Sequence, residues 1–140
     1  MPVAAVLARG RRAAERLMVD RCVIRRRIGE TTDDDGNVIP TWTTVYDAEP
    51  PAPAGSGGKC RLKQTLAQPR PDEQGEADLL MVRRELQLPM SVVGVQADDV
   101  VTMTASRHDP DVVGREFVVR GLHHATHATK RRLQVEEGTS

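Results

Sequence analysis

The second half of the chain consists of short runs in which apolar and polar residues alternate, and this period of two is the strongest constraint on the fold. Alternation places one face of a strand against a core and the other face in solvent. Turn-forming residues separate the runs, and short strands at such spacing predict an antiparallel barrel or sandwich. The runs are Leu80 to Leu88, Val100 to Ala105, Phe117 to Leu122 and Arg131 to Val135.

The first half adds a helix and a hairpin to this β series. Apolar residues at three- and four-residue spacing predict an N-terminal α-helix over residues 1–18. The period changes to two from Asp20, and Thr41 to Tyr46 consists of β-branched and aromatic residues that favour a second strand. Thr32 to Asn37 lies between them and contains Asp, Gly and Asn, which tolerate the positive φ of a tight turn. These segments predict a β-hairpin.

Two segments without periodicity separate the remaining strands. Residues 47–58 are rich in Pro and Gly and predict a flexible connection, and residues 65–78 predict a second long loop. We therefore expect a single, mainly β domain over residues 1–140. In this prediction, six to seven antiparallel strands within residues 19–137 form a small β-barrel or sandwich. One N-terminal α-helix, long loops and a tail at residues 138–140 complete the domain.

The supply of bulky apolar side chains is small. Apolar residues make up 39% of the chain and aromatic residues 2%, with one Trp, one Tyr and one Phe. The core must therefore consist mostly of Val and Leu, with Phe117 and Leu122 among its expected members. Burial between subunits would compensate for so thin a core, because assembly stabilises the folded protomer by mass action. No apolar run approaches the roughly 18 residues of a membrane span, so no membrane partner is expected.

The net charge is zero, but its distribution along the chain is uneven. Residues 1–29 contain eight Arg and two acids, a balance of +6, whereas residues 30–50 contain six acids and no base, a balance of −6. Neighbouring blocks of opposite sign favour contacts between copies or with a charged protein. Nucleic-acid binding is a weaker hypothesis, because the domain is not basic overall and offers few aromatic side chains for base stacking.

No catalytic residue, metal ligand or cofactor site is predicted. His123, His124 and His127 are the densest cluster of metal-ligating side chains, but neighbouring strand residues point to opposite faces and no H-E-x-x-H motif is present. They are more simply explained as polar residues of a connection between strands. The chain also has no G-x-S-x-G motif and no Gly-rich phosphate loop. Cys22 and Cys60 are expected to be free thiols.

Five segments of the chain are informative as an ordered set. They are L-A-R-G-R-R-A-A-E-R-L-M-V-D-R-C-V-I-R-R (Leu7 to Arg26), G-K-C-R-L (Gly58 to Leu62), E-L-Q-L-P-M-S-V (Glu85 to Val92), D-D-V-V-T-M-T-A-S-R-H-D-P-D-V-V-G-R-E-F-V-V-R-G-L-H-H (Asp98 to His124) and A-T-K-R-R-L (Ala128 to Leu133). Together they resemble a family of small neck proteins of tailed phages and prophages of actinobacteria. These are the head-completion or head-to-tail stopper proteins, and the resemblance spans nearly the whole chain.

The resemblance implies a structural role in the virion, with no catalytic residue and no cofactor. Related stoppers form a homo-oligomeric ring with a small β-barrel in each subunit. The ring lies below the portal and its adaptor and above the tail terminator or tail tube, and a six-fold or twelve-fold ring is expected. It retains packaged DNA, so transient contact with genomic double-stranded DNA in the lumen is implied. The expected location is the virion neck, after assembly in the host cytoplasm.

Two sets of residues are candidates for contacts in such a ring. The N-terminal helix and the basic strand that follows it are expected to meet a neighbouring subunit or the adaptor through Val6, Arg9, Arg12, Arg16, Arg25 and Arg27. Two acidic segments are expected at the axial channel or at a joint between rings, through Asp33, Asp34, Asp35, Asp72, Glu73 and Glu76. Three alternatives stay open: a head-tail adaptor or tail terminator ring, an oligonucleotide-binding β-barrel, and a small metal-dependent enzyme built on the histidines.

Overall fold

One helix precedes seven strands in the computed structural model, which describes residues 2–67 and 81–138, with the backbone alone at residues 65–67 and 81–83. A short 3-10 turn at Pro110–Val112 lies before the sixth strand. The elements are α1 (Val3–Arg16), β1 (Asp20–Thr32), β2 (Val38–Tyr46), β3 (Gly58–Ala67), β4 (Met81–Leu88), β5 (Val100–Ala105), β6 (Glu116–His123) and β7 (Arg131–Glu137).

Six of these strands close into an antiparallel barrel. Their order is β1, β3, β4, β7, β6 and β5, and the barrel closes where β5 pairs with Arg21 to Arg25 of β1. The seventh strand, β2, lies outside the barrel and pairs with β1. The predicted fold class, mainly β with one N-terminal helix, is therefore confirmed, and of the two predicted architectures the chain adopts the barrel.

β1 takes part both in the barrel and in a two-stranded pairing with β2. Its first half pairs with β3 and β5, and its second half, from Ile24 to Thr32, pairs with β2. Beyond Arg25, none of the described barrel strands pairs with β1. Residues 26–43 therefore form a two-stranded ribbon that extends beyond the barrel wall, and we refer to it as the β1–β2 ribbon. β-Bulges at Ile24/Arg25 and Arg27/Gly29 bend β1 where the ribbon leaves the barrel.

Aliphatic side chains and one aromatic ring fill the barrel. The predicted alternation is confirmed in part of each of the last three strands, where the buried residues alternate with less buried ones: Val101 and Met103, Phe117 and Val119, and Leu133 and Val135. Phe117 is 1% exposed, and the Arg84 guanidinium lies 5.6 Å from the centroid of its ring. The core cluster comprises Cys22, Ile24, Cys60, Leu86, Leu88, Val92, Val101, Met103, Phe117, Val119, Leu133 and Val135.

Two details of the predicted fold are wrong. The loop predicted at residues 65–78 begins too early, because β3 continues to Ala67 and its last residues pair with the start of β4. The rest of that loop lies outside the described residues. Leu122, expected in the core, is only partly buried at the core's edge. A register shift between Val119 and Gly121 pairs Leu122 with the buried Leu133, so Leu122 faces inward, but it lies one residue before the end of β6 and is not enclosed there.

The connection between β2 and β3 is ordered by one carboxylate. Asp47 accepts hydrogen bonds from the backbone N–H groups of Ala48, Gly55 and Gly57, at 2.7 to 3.0 Å. Burial alone would raise the pKa of Asp47, but these donors outweigh it and the pKa is lowered. Gly58 follows at a position where an added Cβ would overlap the Tyr46 ring, so only glycine fits there. The Pro- and Gly-rich segment thus leads β3 into the barrel along a fixed path.

Phe117→Ala tests the thin core. Removing the largest buried side chain should lower the free energy of unfolding by about 3 to 5 kcal/mol, because few neighbouring side chains are large enough to fill the cavity. The measurement is urea denaturation followed by circular dichroism. Val113→Ala, at an exposed position, should stay within about 0.5 kcal/mol of the wild type. Equal losses in the two variants would contradict a core centred on Phe117.

Candidate functional site

α1 rests on the barrel through a few contacts. The Arg11 Nε donates to the Ala128 carbonyl at 3.4 Å, and Glu15 pairs with the Lys59 Nζ at 2.7 Å. Gly10 lies against Thr129, whose methyl group would be 2.9 Å from a Cβ at that position. No residue of α1 is buried, and its apolar residues Val3 and Val6 are exposed. Within the described ranges no helix is long and apolar enough to span a bilayer.

α1 and the connection between β6 and β7 share one basic surface, which we call the basic face. It consists of α1 from Arg9 to Arg16 together with residues 123–132. No acid occurs in the sequence between Glu116 and Glu136, and the acid of α1, Glu15, pairs with Lys59. Six basic residues of this face have no carboxylate within ion-pair distance in the described part of the chain. They are the four arginines of α1 and two residues of the connection, namely Arg9, Arg11, Arg12, Arg16, Lys130 and Arg131.

An apolar pocket of about 150 Å³ opens beside this basic face, and we call it the basic-rimmed pocket. Arg131 helps to shape it, because its Nε donates to the Val92 carbonyl at 2.9 Å. Arg132 is held at 2.7 Å from Glu85. Side chains from β4, β6, β7 and the connection after β4 form its walls, namely Leu88, Val92, Val93, Val95, Leu122 and Leu133. The rim carries His123, His124, Arg131 and Arg132.

A buried ion pair ties the wall of this pocket to the base of the β1–β2 ribbon. Asp99 is 1% exposed and receives two hydrogen bonds of 2.9 Å from Arg26, through Nε and Nη2. The same Nη2 donates to the Gly94 carbonyl at 2.6 Å, and the Gln96 N–H donates to Asp99 at 2.8 Å. The hydrogen bond to Asp99 raises the pKa of Arg26. The segment 94–99 is therefore fixed to β1 at the residue where the ribbon starts.

The β1–β2 ribbon presents apolar side chains to solvent. Ile28, Val38 and Ile39 are 65%, 60% and 46% exposed. Two arginines that we predicted at a subunit interface have partners within the chain as well. Arg25 lies 5.0 Å from the centroid of the Trp42 ring and 3.6 Å from Glu116, and Arg27 pairs with Glu30. The ribbon therefore exposes three apolar side chains among polar ones, and these two arginines have partners within the chain.

The tip of the ribbon is an acidic turn. Asp33 accepts hydrogen bonds from the N–H groups of Asp35 and Asn37 at 3.0 and 2.8 Å, and Gly36 has a φ of +84°. The backbone donor at Asn37 contributes most to lowering the pKa of Asp33. Asp34 and Asp35 have no cationic partner among residues 2–67 and 81–138. The tip therefore offers three carboxylates next to Val38. Asp72, Glu73 and Glu76 lie outside the described residues.

A protein-family model, described as a family of unknown function (DUF6093), matches residues 10–136. The chain belongs to this family. Comparison with curated proteins found no match, and comparison with solved structures also found none. In this DUF6093 chain the match runs from the middle of α1 into β7, so it includes the ribbon, the pocket and all of the basic face except Arg9.

The predicted site residues are divided between two surfaces of this DUF6093 chain. Arg9, Arg12 and Arg16 belong to the basic face, whereas Asp33, Asp34 and Asp35 form the tip of the ribbon. Val6 is exposed on α1. The sequence prediction missed the pocket and the ion pair between Arg26 and Asp99. One signal was available, because the long acid-free stretch between Glu116 and Glu136 marks β6 and β7 as a basic region.

Side chains that could bind metal or act as nucleophiles do not converge in the described part of the chain. No group of three or more His, Cys, Asp or Glu side chains there is arranged to hold a metal ion. Cys22 and Cys60 are both buried and free. A hydrogen bond to Cys22 and burial in the core both raise the pKa of the Cys60 thiol, so it stays protonated and is a poor nucleophile.

Arg26→Met tests the ion pair at the base of the ribbon. It leaves the Asp99 carboxylate buried without its cation and should cost about 3 kcal/mol, the low end for a buried pair, since part of Arg26 is solvated. Urea denaturation measures the loss, and adding Asp99→Asn should restore part of it. Arg27→Met, at the exposed pair with Glu30, should cost less than about 1 kcal/mol. An equal effect at Arg26 and Arg27 would contradict this role for Asp99.

Proposed function

We propose that this chain is a structural component of a phage neck, a head-to-tail stopper or head-completion protein that assembles into a homo-oligomeric ring. The ring joins the portal and adaptor complex above it to the tail below it and retains packaged DNA. The β1–β2 ribbon is the observation that carries the proposal, because it is a part of the fold that one copy of the chain leaves uncovered.

The ribbon supports assembly for an energetic reason. A two-stranded ribbon is marginally stable in water and needs further strands or a packing surface to persist. No third strand from residues 2–67 or 81–138 pairs with the part of it beyond Arg25, and Ile28, Val38 and Ile39 are exposed there. Free strand edges and exposed apolar side chains are also sites of unspecific aggregation. A neighbouring copy that covers the ribbon resolves both problems and compensates for the thin core.

α1 supports the same proposal. A helix of 14 residues is marginal by itself, and most helical stability in proteins comes from packing of an apolar face. Here no residue of α1 is buried, and its apolar edge at Val3, Val6 and Leu17 remains exposed. A contact between this edge and the next subunit or the adaptor ring would complete the packing that the barrel provides only in part.

The charges suit a position between other proteins. The basic face and the acidic tip give each copy two surfaces of opposite sign, which favours oriented contacts over unspecific ones. In the proposed ring, DNA passes through the lumen and contacts it transiently. The same features suit a head-tail adaptor or a tail terminator ring, so these remain the nearest alternatives within the neck.

Electron microscopy and sedimentation of the full chain test the proposed ring. We expect closed rings of uniform size, formed by the chain alone or on addition of the portal and adaptor proteins encoded beside its gene. The reason is that the ribbon and α1 leave apolar surface that only further protein covers. A chain that stays monomeric alone and also fails to bind those proteins would contradict the proposal.

Nucleic-acid binding is a second candidate, and the basic face is the observation that favours it. Unpaired arginines bind phosphates, but the three described aromatic side chains lie elsewhere: Phe117 is buried, Tyr46 is half-buried and Trp42 lies under Arg25. The basic face therefore lacks the stacking surface of a single-strand binder.

Charge reversal on α1 separates the two candidates. Retention of the chain on a double-stranded DNA column should be weak, and Arg9→Glu with Arg12→Glu should reduce it further, because fewer phosphates are neutralised. Salt-dependent, tight retention that this double variant abolishes, by a chain that forms no ring, would favour the nucleic-acid binder. Arg27→Glu on the ribbon is the matched control and should leave retention unchanged.

A further inference from the structure

The basic-rimmed pocket has the size and lining of a site for one aliphatic side chain. Its volume is about 150 Å³, and an apolar cavity of about this size takes up a molecule as large as benzene. Its walls are Leu and Val side chains, and Val93 at its mouth is 69% exposed. Because Arg131 stands on the rim without a carboxylate partner in the described chain, the pocket favours an aliphatic group that has carboxylates beside it.

The tip of the β1–β2 ribbon has this combination of groups. Val38 and Ile39 are exposed directly after the turn that carries Asp33, Asp34 and Asp35. These carboxylates have no cationic partner in the described chain, and Lys130 and Arg131 near the pocket have no carboxylate partner there. The two surfaces therefore complement each other both in charge and in apolar character.

The ribbon of a copy cannot fill that copy's own pocket. Arg26 at the base of the ribbon donates to the Gly94 carbonyl, and Gly94 lines the pocket. The strand from Arg26 to Thr32 then extends for six residues, which corresponds to roughly 20 Å at the rise of a β-strand. None of the residues that line the pocket belongs to the ribbon, and Val38 and Ile39 remain 60% and 46% exposed at its tip. A tip that occupies such a pocket must come from another copy.

We propose that the acidic tip of the β1–β2 ribbon of one copy docks into the basic-rimmed pocket of the next copy, with Val38 or Ile39 as the inserted side chain. This inference rests on the proposed assembly into a ring and adds the contact that forms it. Tip and pocket are different surfaces, so the contact is heterologous, and each copy has one free tip and one free pocket. Repetition of such a contact closes a ring when its rotation allows closure.

Two variants remove one side of the contact each. Val38→Lys with Ile39→Lys replaces the two apolar side chains of the tip by positive charges. Val93→Glu puts a negative charge and a larger side chain at the mouth of the pocket. All three positions are exposed, so both variants should keep the wild-type circular dichroism spectrum and unfolding midpoint. Thr43→Lys on the ribbon and Ser91→Glu beside the pocket are the matched controls, because both are exposed and neither lies in the proposed contact.

Mixing the two variants is the decisive measurement. Each variant alone should fail to form larger assemblies, whereas the mixture should form a one-to-one pair, because one intact tip and one intact pocket remain. Native mass spectrometry counts the copies. In parallel, NMR spectra of the isotope-labelled tip variant should shift around Val92 to Val95 when the unlabelled pocket variant is added, and the two control variants should assemble as the wild type does.

The outcomes separate this contact from the proposed function. A mixture that gives neither a pair nor shifts near the pocket overturns the docking, and wild-type rings would then leave the neck function standing. Assembly by the pocket variant alone would also overturn it, since pairing of ribbon with ribbon would then join the copies. A one-to-one pair in the mixture supports the docking, even where the wild-type chain forms open chains of copies and the proposed ring fails.

Discussion

The pairing of β5 with β1 between Arg21 and Arg25 is the contact on which the rest of the structure depends. It turns a sheet with two open edges into a closed barrel, so that Val101 and Met103 face the same interior as Leu86 and Leu133. It also ends at Arg25, and beyond this residue β2 is the only strand of the described chain that pairs with β1. Closure of the barrel and extension of the ribbon are therefore two results of one long strand that is shared between partners.

The parts of the fold that the sequence predicted are those set by local chemistry. Alternation identified β5, β6 and β7, and the Asp- and Gly-rich turn identified the β1–β2 hairpin. Both features depend on residue types that lie within a few positions of each other, so they can be recognised in the sequence. The ion pair between Arg26 and Asp99 spans 73 positions, and nothing local in either residue indicates the other. Leu122 was placed too deep in the core because the sequence does not show that it lies at the end of β6, where its neighbours cover only part of the side chain.

Electrostatic interactions differ between the barrel and the parts that extend from it. On the barrel, Arg115 and Arg84 both bind Glu137, and together they lower its pKa. Arg120 similarly pairs with Glu136 and Asp98. The arginines of α1 and the carboxylates of the ribbon tip are not compensated in this way within the described chain. The charge blocks of the sequence include these unpaired groups, but they also include Arg26 and Arg27, which are paired within the chain, and they could not show that a pocket lies beside the basic face.

The bidentate pair of Arg26 and Asp99 also determines how mechanical load would pass through the molecule. Arg26 is the first residue of the ribbon, and its guanidinium holds both the Asp99 carboxylate and the Gly94 carbonyl. A pull on the ribbon therefore reaches the segment 94–99 through side-chain bonds as well as along the backbone of β1. In the collar proposed above, tension applied at one joint would reach the wall of the adjoining joint through this guanidinium as well as through the strand itself.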